Sequence, residues 1–265
     1  MSKTHSFFLV WKSELRAGRN SALGWSLTLG GLCALVALIW PSVSASIGEA
    51  MKNYPADIKK AFGIQELSNV DQYVDTEMLS LIVPLALGFF VIRYITRSLV
   101  VAEEEEYLDC LLAAPLSRRS LALGSLAATT SWLLVSLGVI WGLTEGAAWA
   151  VDAGSQAEVF LRGVANIFPI IFFFLGLAML FCGLLHRSSL IVSLTMGILV
   201  VMYVVDLLGK VSDDLSWARP WSAFRYYGSA VQSGLDPGYM IGLILAGILL
   251  SVLGIIFYER RDILA

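Results

Sequence analysis

Charged residues are scarce in this chain. They make up 15% of its 265 residues, whereas 57% are hydrophobic. A soluble domain carries about 25% charged and about 45–50% apolar residues. The composition excludes an ordinary soluble domain and predicts a membrane protein, with its charges gathered into a few stretches.

The chain also lacks a basic excess and has few residues that hold metals or form disulfides. Its formal net charge is -3, which gives no support for a nucleic-acid partner because such a partner calls for a basic face. Three cysteines, Cys33, Cys110 and Cys182, and two histidines, His5 and His186, stand far apart. They form neither a disulfide framework nor a metal site.

Motifs of membrane-associated enzymes are missing as well. The chain has no G-x-x-x-x-G-K-[ST] loop to hold nucleotide phosphates, no G-x-S-x-G elbow and no H-E-x-x-H pair. The acidic run Glu103–Glu106 has no arginine at the spacing of an E-E-x-x-x-R protease motif. We therefore predict no enzyme and no cofactor bound by this chain.

Long apolar segments are what the sequence does contain. A membrane-spanning helix needs about 20 mainly apolar residues, and six segments meet that requirement. They lie at about 21–40, 77–97, 119–144, 162–185, 189–208 and 239–258. The prediction is a single all-α polytopic transmembrane domain over residues 1–265. Its cytoplasmic turn at His186-Arg187 would make helices four and five neighbours.

The stretch before the first span is amphipathic. Phe7, Phe8, Trp11 and Leu15 fall on one helical face. This pattern predicts that residues 1–20 form an interfacial helix lying on the lipid bilayer.

Lysine and arginine predict the orientation. The N-terminal segment, the stretches around 93–97 and 118–119, Arg187 and Arg260-Arg261 would all lie inside, with both termini cytoplasmic. Basic residues on the other side sit in longer loops, at 42–76 and 210–238, whose length weakens their influence. The aromatic 210–238 segment is expected to dip back into the membrane surface.

The stretch from Arg93 to Leu123, which we call the elbow, is the one strongly charged block between two long apolar runs. Acids at Glu103–Glu106 precede an apolar stripe of three leucines, Leu108, Leu111 and Leu112, and Pro115 ends this short helix. An apolar patch with a polar rim outside the bilayer indicates a partner surface.

Two features inside the spans also carry predictions. Gly138 and Gly142 form a small-xxx-small pair, which allows close helix contact and favours packing within the subunit over a dimer seam. Asp206, near the outer end of the fifth span, is a candidate for lining a substrate path or a proton route.

The run EYLDCLLAAPLSRRSLALGS, residues 106–125, resembles the coupling segment of ABC-2 type transporter permeases, E-x-G-T-L-E-x-L-L-x-x-P-[VL]-S-R-x-x-[LI]-x-x-G-K. WSAFRYYGSAVQSGLDPGYM followed by FYERRDI resembles the blocks that flank the last helix of that family, and YPADIKKAFGI resembles its first extracellular block. The similarity spans nearly the whole chain. Glu106-Tyr107 replaces the Gly-Thr of the pattern, and Ser125 replaces its lysine.

The resemblance implies a permease that pairs with a second copy or close relative and with two cytosolic ABC ATPase subunits, which would hold ATP and Mg²⁺. The elbow would form a cytoplasmic coupling helix docked on the ATPase, in the cytoplasmic (inner) membrane of a prokaryote. The residues expected to carry ATPase coupling are Glu104, Glu105, Glu106, Leu108, Asp109, Leu111 and Leu112. The residues expected to line the substrate path are Leu32, Leu35, Ile39, Met196, Val200 and Asp206.

This lining is mostly aliphatic and suits export of a lipophilic or amphipathic substrate. An alternative is a mechanical subunit that passes ATPase motion to an extracytoplasmic partner without carrying a substrate. An unassisted channel or secondary transporter is a weaker alternative, because it gives the elbow no task and would place more polar residues at mid-membrane.

Overall fold

The computed structural model describes residues 3–53, 69–101, 104 and 117–261. This part of the chain contains helices and no strand. Its α-helices are α1 (Lys3–Asn53), α2 (Val70–Val74), α3 (Ile82–Thr96), α4 (Arg118–Ala150), α5 (Ala157–Leu184), α6 (Ser188–Val211), α7 (Ala223–Tyr227), α8 (Ala230–Ser233) and α9 (Pro237–Arg260). The described part also contains two π-helical segments, Asp75–Leu79 and Arg97–Val101, and one 3₁₀ segment, Asp213–Trp221.

Six of these helices are long and apolar enough to cross a membrane, which confirms the predicted all-α polytopic class. The spans that qualify are Ser6–Ser42, Ile82–Val101, Arg118–Ala150, Ala157–Leu184, Ser188–Val211 and Pro237–Arg260. Residues 185–187 join α5 to α6, and the two helices contact each other as the short turn predicted.

Helix α1 differs from the prediction at both of its ends. It runs without interruption from Lys3 to Asn53, through Pro41. The predicted interfacial helix is therefore the N-terminal part of this helix rather than a separate element, and helix continues 13 residues beyond the predicted end of the span at 40. No proline lies near position 20, and the helix continues through Gly18 and Asn20.

The second span begins later than predicted. Residues 77–79 belong to the π-helical segment, and a turn at Ser80 and Leu81 separates them from α3. Pro84 is the third residue of α3. In the first helical turn proline loses no hydrogen bond, whereas in a continuous helix its ring would clash with the Ser80 carbonyl four residues earlier.

Two helix pairs form most of the bundle: α1 packs along α4, and α9 packs along α5. The α5–α9 pair packs backbone against backbone at glycines. A Cβ at Gly247 would lie 2.9 Å from the Phe172 carbonyl oxygen, and a Cβ at Gly254 would overlap the backbone at Met179. Small residues allow membrane helices this close approach.

The predicted packing role of Gly138 and Gly142 was wrong for the chain as described. Both glycines are exposed on α4, and no atom of another described element lies within 4 Å of a Cβ built on either one. Their sequence spacing matches the motif, but the α1-facing side of α4 is the side that carries Ser136, whose hydroxyl lies 2.7 Å from that of Ser26.

The aromatic segment before α9 packs partly against the bundle. Phe224 is buried, with its ring centroid 6.1 Å from that of Phe174 and 5.3 Å from that of Tyr203. Trp217 and Trp221, in contrast, are 70% and 80% exposed. The expectation that this segment enters the membrane surface stays a prediction.

Candidate functional site

The two edges of the elbow lie at one end of the bundle, which we call the elbow end. Tyr94 on α3 donates a hydrogen bond to the Glu14 carbonyl oxygen of α1 (2.7 Å), and Ser98 donates to the Glu14 carboxylate (2.5 Å). Arg118, the first residue of α4, donates to the carbonyl oxygen of Arg261, just beyond α9. The N-terminal part of α1 and the end of α9 therefore lie beside the elbow.

Arg261 contacts the beginning of α4, the end of α5 and the end of α9, the helix that it follows. Its guanidinium donates to the carbonyl oxygens of Cys182 (2.8 Å) and Leu185 (2.6 Å) at the end of α5, and it lies 5.5 Å from the Tyr258 ring centroid. The last carbonyls of a helix have no partner within the helix, and a cation there is favourable. Partial burial lowers the pKa of Arg261.

Glu104 is the predicted coupling residue that the structure describes. Its carboxylate accepts hydrogen bonds from the backbone N–H of Ser188 (2.8 Å) and from the Ser188 hydroxyl (2.5 Å). Ser188 is the first residue of α6, where an unpaired N–H and the helix dipole both favour a carboxylate. The elbow is thereby bound to the beginning of α6.

The other predicted coupling residues fall outside the described part of the chain. They are Glu105, Glu106, Leu108, Asp109, Leu111 and Leu112. Their role stays a prediction.

Four of the six predicted substrate-path residues are exposed, on two helices. Leu32, Leu35 and Ile39 are 40–55% exposed on α1, and Val200 is 43% exposed on α6. Met196 is partly buried against the core. The main contacts of α1 are with α4, and those of α6 are with α3, α5 and the 3₁₀ segment, so the single chain does not assemble these residues around one cavity.

Asp206 is held within an ion cluster. The residue is 3% exposed, and its two carboxylate oxygens lie 3.1 Å from Arg219 Nε and 2.8 Å from Lys210 Nζ. Burial of a carboxylate is tolerated when cations pair with it. The cluster ties the end of α6 to the 3₁₀ segment.

An apolar groove runs along α6 beside that segment. Its volume is about 440 Å³, and Leu194, Gly197, Val201, Met202 and Trp221 are among the residues lining it. None of the predicted path residues lines this groove. Its apolar wall and aromatic rim match the chemistry of a lipophilic or amphipathic molecule.

Carboxylates also join the helices at the opposite end of the bundle. Asp71 accepts hydrogen bonds from the Ser155 hydroxyl (2.6 Å) and the Gln156 backbone N–H (2.8 Å), and the same hydroxyl lies 2.9 Å from the Glu145 carboxylate. These contacts connect α2, the end of α4 and the start of α5.

Asp75 makes a second connection at this end. The residue is 5% exposed, and its carboxylate accepts a hydrogen bond from Ser229, which precedes α8. Burial raises the pKa of Asp75 to about 6, although the Ser229 hydrogen bond partly offsets this effect. Burial and the negative charge of Asp75 raise the pKa of Tyr227, whose hydroxyl donates to the Leu79 carbonyl oxygen (2.8 Å).

Sequence reasoning did not find Asp71, Asp75 or Arg261 as contact residues. The available signal was weak. Two acids next to a proposed helix start, and an arginine at a helix end, are typical of solvated surface. Their partners are more than 70 residues away in sequence, and no local pattern reveals such pairs.

A comparison with protein-family models gave a match over most of the chain. Residues 10–259 match the family described as "Multidrug efflux system permease Rv1217c, C-terminal domain". This chain belongs to that family. The match covers all six candidate spans apart from the first residues of α1 and the last residue of α9. A comparison with curated proteins found no match.

Family membership and the six apolar helices together support a transporter permease subunit, a multi-pass membrane protein. The family suggests a transport subunit rather than a catalytic enzyme.

Proposed function

We propose that this chain is the membrane permease of an ABC-type exporter of lipophilic or amphipathic compounds, driven by separate cytosolic ATPase subunits. The family supports the transport role. The ATPase requirement follows from the ABC-2 resemblance and from the lack of any nucleotide-binding motif in the chain. A second copy or close relative of the chain would complete the permease.

The contact between Glu104 and Ser188 is the observation that carries the proposal. A partner that displaces the elbow pulls on α6 through this contact, and α6 carries both the apolar groove and Val200. The proposal therefore gives α6 the task of passing motion from the elbow to the substrate path.

Capture of the ATPase tests the proposal. The chain would be purified from detergent-solubilised native membranes beside a Leu108→Asp, Leu111→Asp variant. A control variant, Leu215→Asp, Leu235→Asp, changes two leucines that are 40% and 37% exposed, outside the elbow and at the opposite end. We expect an ABC ATPase with the unchanged chain and the control, and at least a tenfold loss with the elbow variant. Absence of an ATPase from all three preparations, with nucleotide present, would refute the proposal.

A further variant separates docking from transmission. Glu104→Ala removes the contact with Ser188, and Glu158→Ala, an exposed acid at the opposite end, serves as its control. We expect Glu104→Ala to retain ATPase binding but to lose most of the ATP-dependent efflux of a lipophilic dye from cells. Undiminished efflux would mean that the contact plays no part in transmission. If the chain binds the ATPase but dye efflux does not depend on the chain, the alternative function is favoured. The chain would then be a mechanical subunit that carries no substrate.

A further inference from the structure

Two arginines at the elbow end, Arg93 and Arg97, pair with no acid among the described residues. Arg93 and Arg97 stand one helical turn apart and are exposed. Neither forms an ion pair or a hydrogen bond with the described part of the chain, whereas Arg119, Arg162 and Arg219 each pair with an acid. A guanidinium carries five N–H donors, which can bind an external anionic group.

A pocket of about 360 Å³ lies between these arginines and the beginning of α6. Its remaining lining combines the hydroxyl-bearing Thr96, Ser188 and Ser189 with the apolar Val101 and Val192. The Ser188 hydroxyl is already bonded to Glu104, so it is Ser189 and the arginines that offer hydrogen-bond donors to an occupant.

Two described acids near the pocket, Glu104 and Glu14, accept hydrogen bonds from other residues. The Glu104 carboxylate accepts hydrogen bonds from the backbone N–H and the hydroxyl of Ser188. The Glu14 carboxylate accepts a hydrogen bond from the Ser98 hydroxyl. Glu14 attracts Arg97 electrostatically but does not form an ion pair with it. Both guanidiniums thus line the pocket without an ion pair to any acid in the described part of the chain.

We propose that this pocket binds the phosphate group of an anionic phospholipid. Guanidinium groups recognise phosphate through paired, charge-assisted hydrogen bonds. The pocket lies where two candidate spans end, which is the depth of lipid headgroups, and Val101 and Val192 offer apolar contact to the part of the lipid that follows the phosphate. A zwitterionic headgroup fits less well, because its own cation would lie near the arginines. The proposal requires a bilayer but not an ATPase.

Native mass spectrometry of the purified full chain tests the proposal, with phosphatidylglycerol and phosphatidylcholine of matched acyl chains as probes. We expect at least one phosphatidylglycerol to be retained about tenfold more strongly than phosphatidylcholine. An Arg93→Gln, Arg97→Gln variant should lose that preference. An Arg16→Gln, Arg19→Gln variant removes the same charge from two exposed arginines of α1 outside the pocket and should keep it.

Three results would overturn the proposal. The first is an equal loss of preference in both variants, which would indicate general surface attraction. The second is equal binding of the two lipids by the unchanged chain. The third is displacement of the lipid by inorganic phosphate at comparable concentration, which would indicate a site for a free anion. If the glutamine variant unfolds in detergent, Arg93→Lys, Arg97→Lys takes its place; it keeps the charge but loses the paired geometry, and should bind several-fold more weakly than the unchanged chain.

Discussion

Asp75 and Asp206 show two ways in which this chain buries an acidic side chain. Asp206 is paired with two cations, Lys210 and Arg219. Asp75 accepts a hydrogen bond from Ser229, and burial raises its pKa to about 6. A carboxylate without a nearby cation is costly to ionise in a low-dielectric environment, so Asp75 holds its proton more tightly in the folded chain than in the unfolded one.

This difference predicts how stability depends on pH. Between about pH 4, where an unfolded aspartate ionises, and about pH 6, unfolding releases the Asp75 proton, so the free energy of unfolding falls as pH rises; above about pH 6 the contribution is constant. The total fall is up to about 3 kcal/mol. We expect Asp75→Asn, which can still accept from Ser229, to flatten the pH dependence of the unfolding temperature over this interval.

Asp152→Asn is the matched control, since Asp152 is exposed and asparagine tolerates its positive φ of 49°. Its unfolding temperature should follow that of the unchanged chain at every pH. Equal slopes for Asp75→Asn and the unchanged chain would show that Asp75 does not titrate in this range.

At the scale of elements, the helix pairs differ in how closely their backbones approach. The α5–α9 pair brings Gly254 against the backbone at Met179. Such packing leaves no room for even one methyl group, because backbone atoms cannot move aside as a flexible side chain can. Gly138 and Gly142 on α4, four residues apart, have no described atom of another element within 4 Å of a Cβ built on them.

These contrasting environments predict opposite effects of one substitution. Gly254→Ala should lower the thermal stability of the purified chain, at a cost of about 1–3 kcal/mol from overpacking. Gly142→Ala should leave it unchanged or raise it by up to about 1 kcal/mol, because alanine favours helix over glycine. Equal melting curves for the two variants would contradict the observed backbone contact.

The whole molecule has two distinct ends. One end holds both termini of the described bundle, together with the elbow flanks and Ser188. At the other end, Asp71 and Asp75 form hydrogen bonds that join neighbouring helices. The excess of lysine and arginine at the elbow end predicts that this end faces the cytoplasm.

Cysteine labelling in intact cells measures this orientation. In a Cys110→Ser background, with Cys33 and Cys182 buried, Glu158→Cys should react with a membrane-impermeant maleimide added outside. Arg187→Cys, exposed at the elbow end, should react only after the cells are opened. The reverse pattern would show that the chain is inserted the other way round.

The sequence by itself determined the class of protein, the number of spans and the approximate place of each. Spans depend on long apolar runs, and every such run is visible locally. The positions 162–185, 189–208 and 239–258 accordingly lie within one to five residues of the observed ends of α5, α6 and α9. The elbow could be recognised for the same reason, as a charged block between apolar neighbours.

Only the tertiary structure decided which residues meet. Glu104 binds Ser188 across 84 positions, Asp75 binds Ser229 across 154, and Gly254 rather than Gly142 lies at a close helix contact. A helix presents several faces with similar apolar character, and its sequence does not say which face a distant helix will cover. The pairing is fixed by the packing of the whole bundle, where burial, hydrogen bonds and charge must be satisfied together.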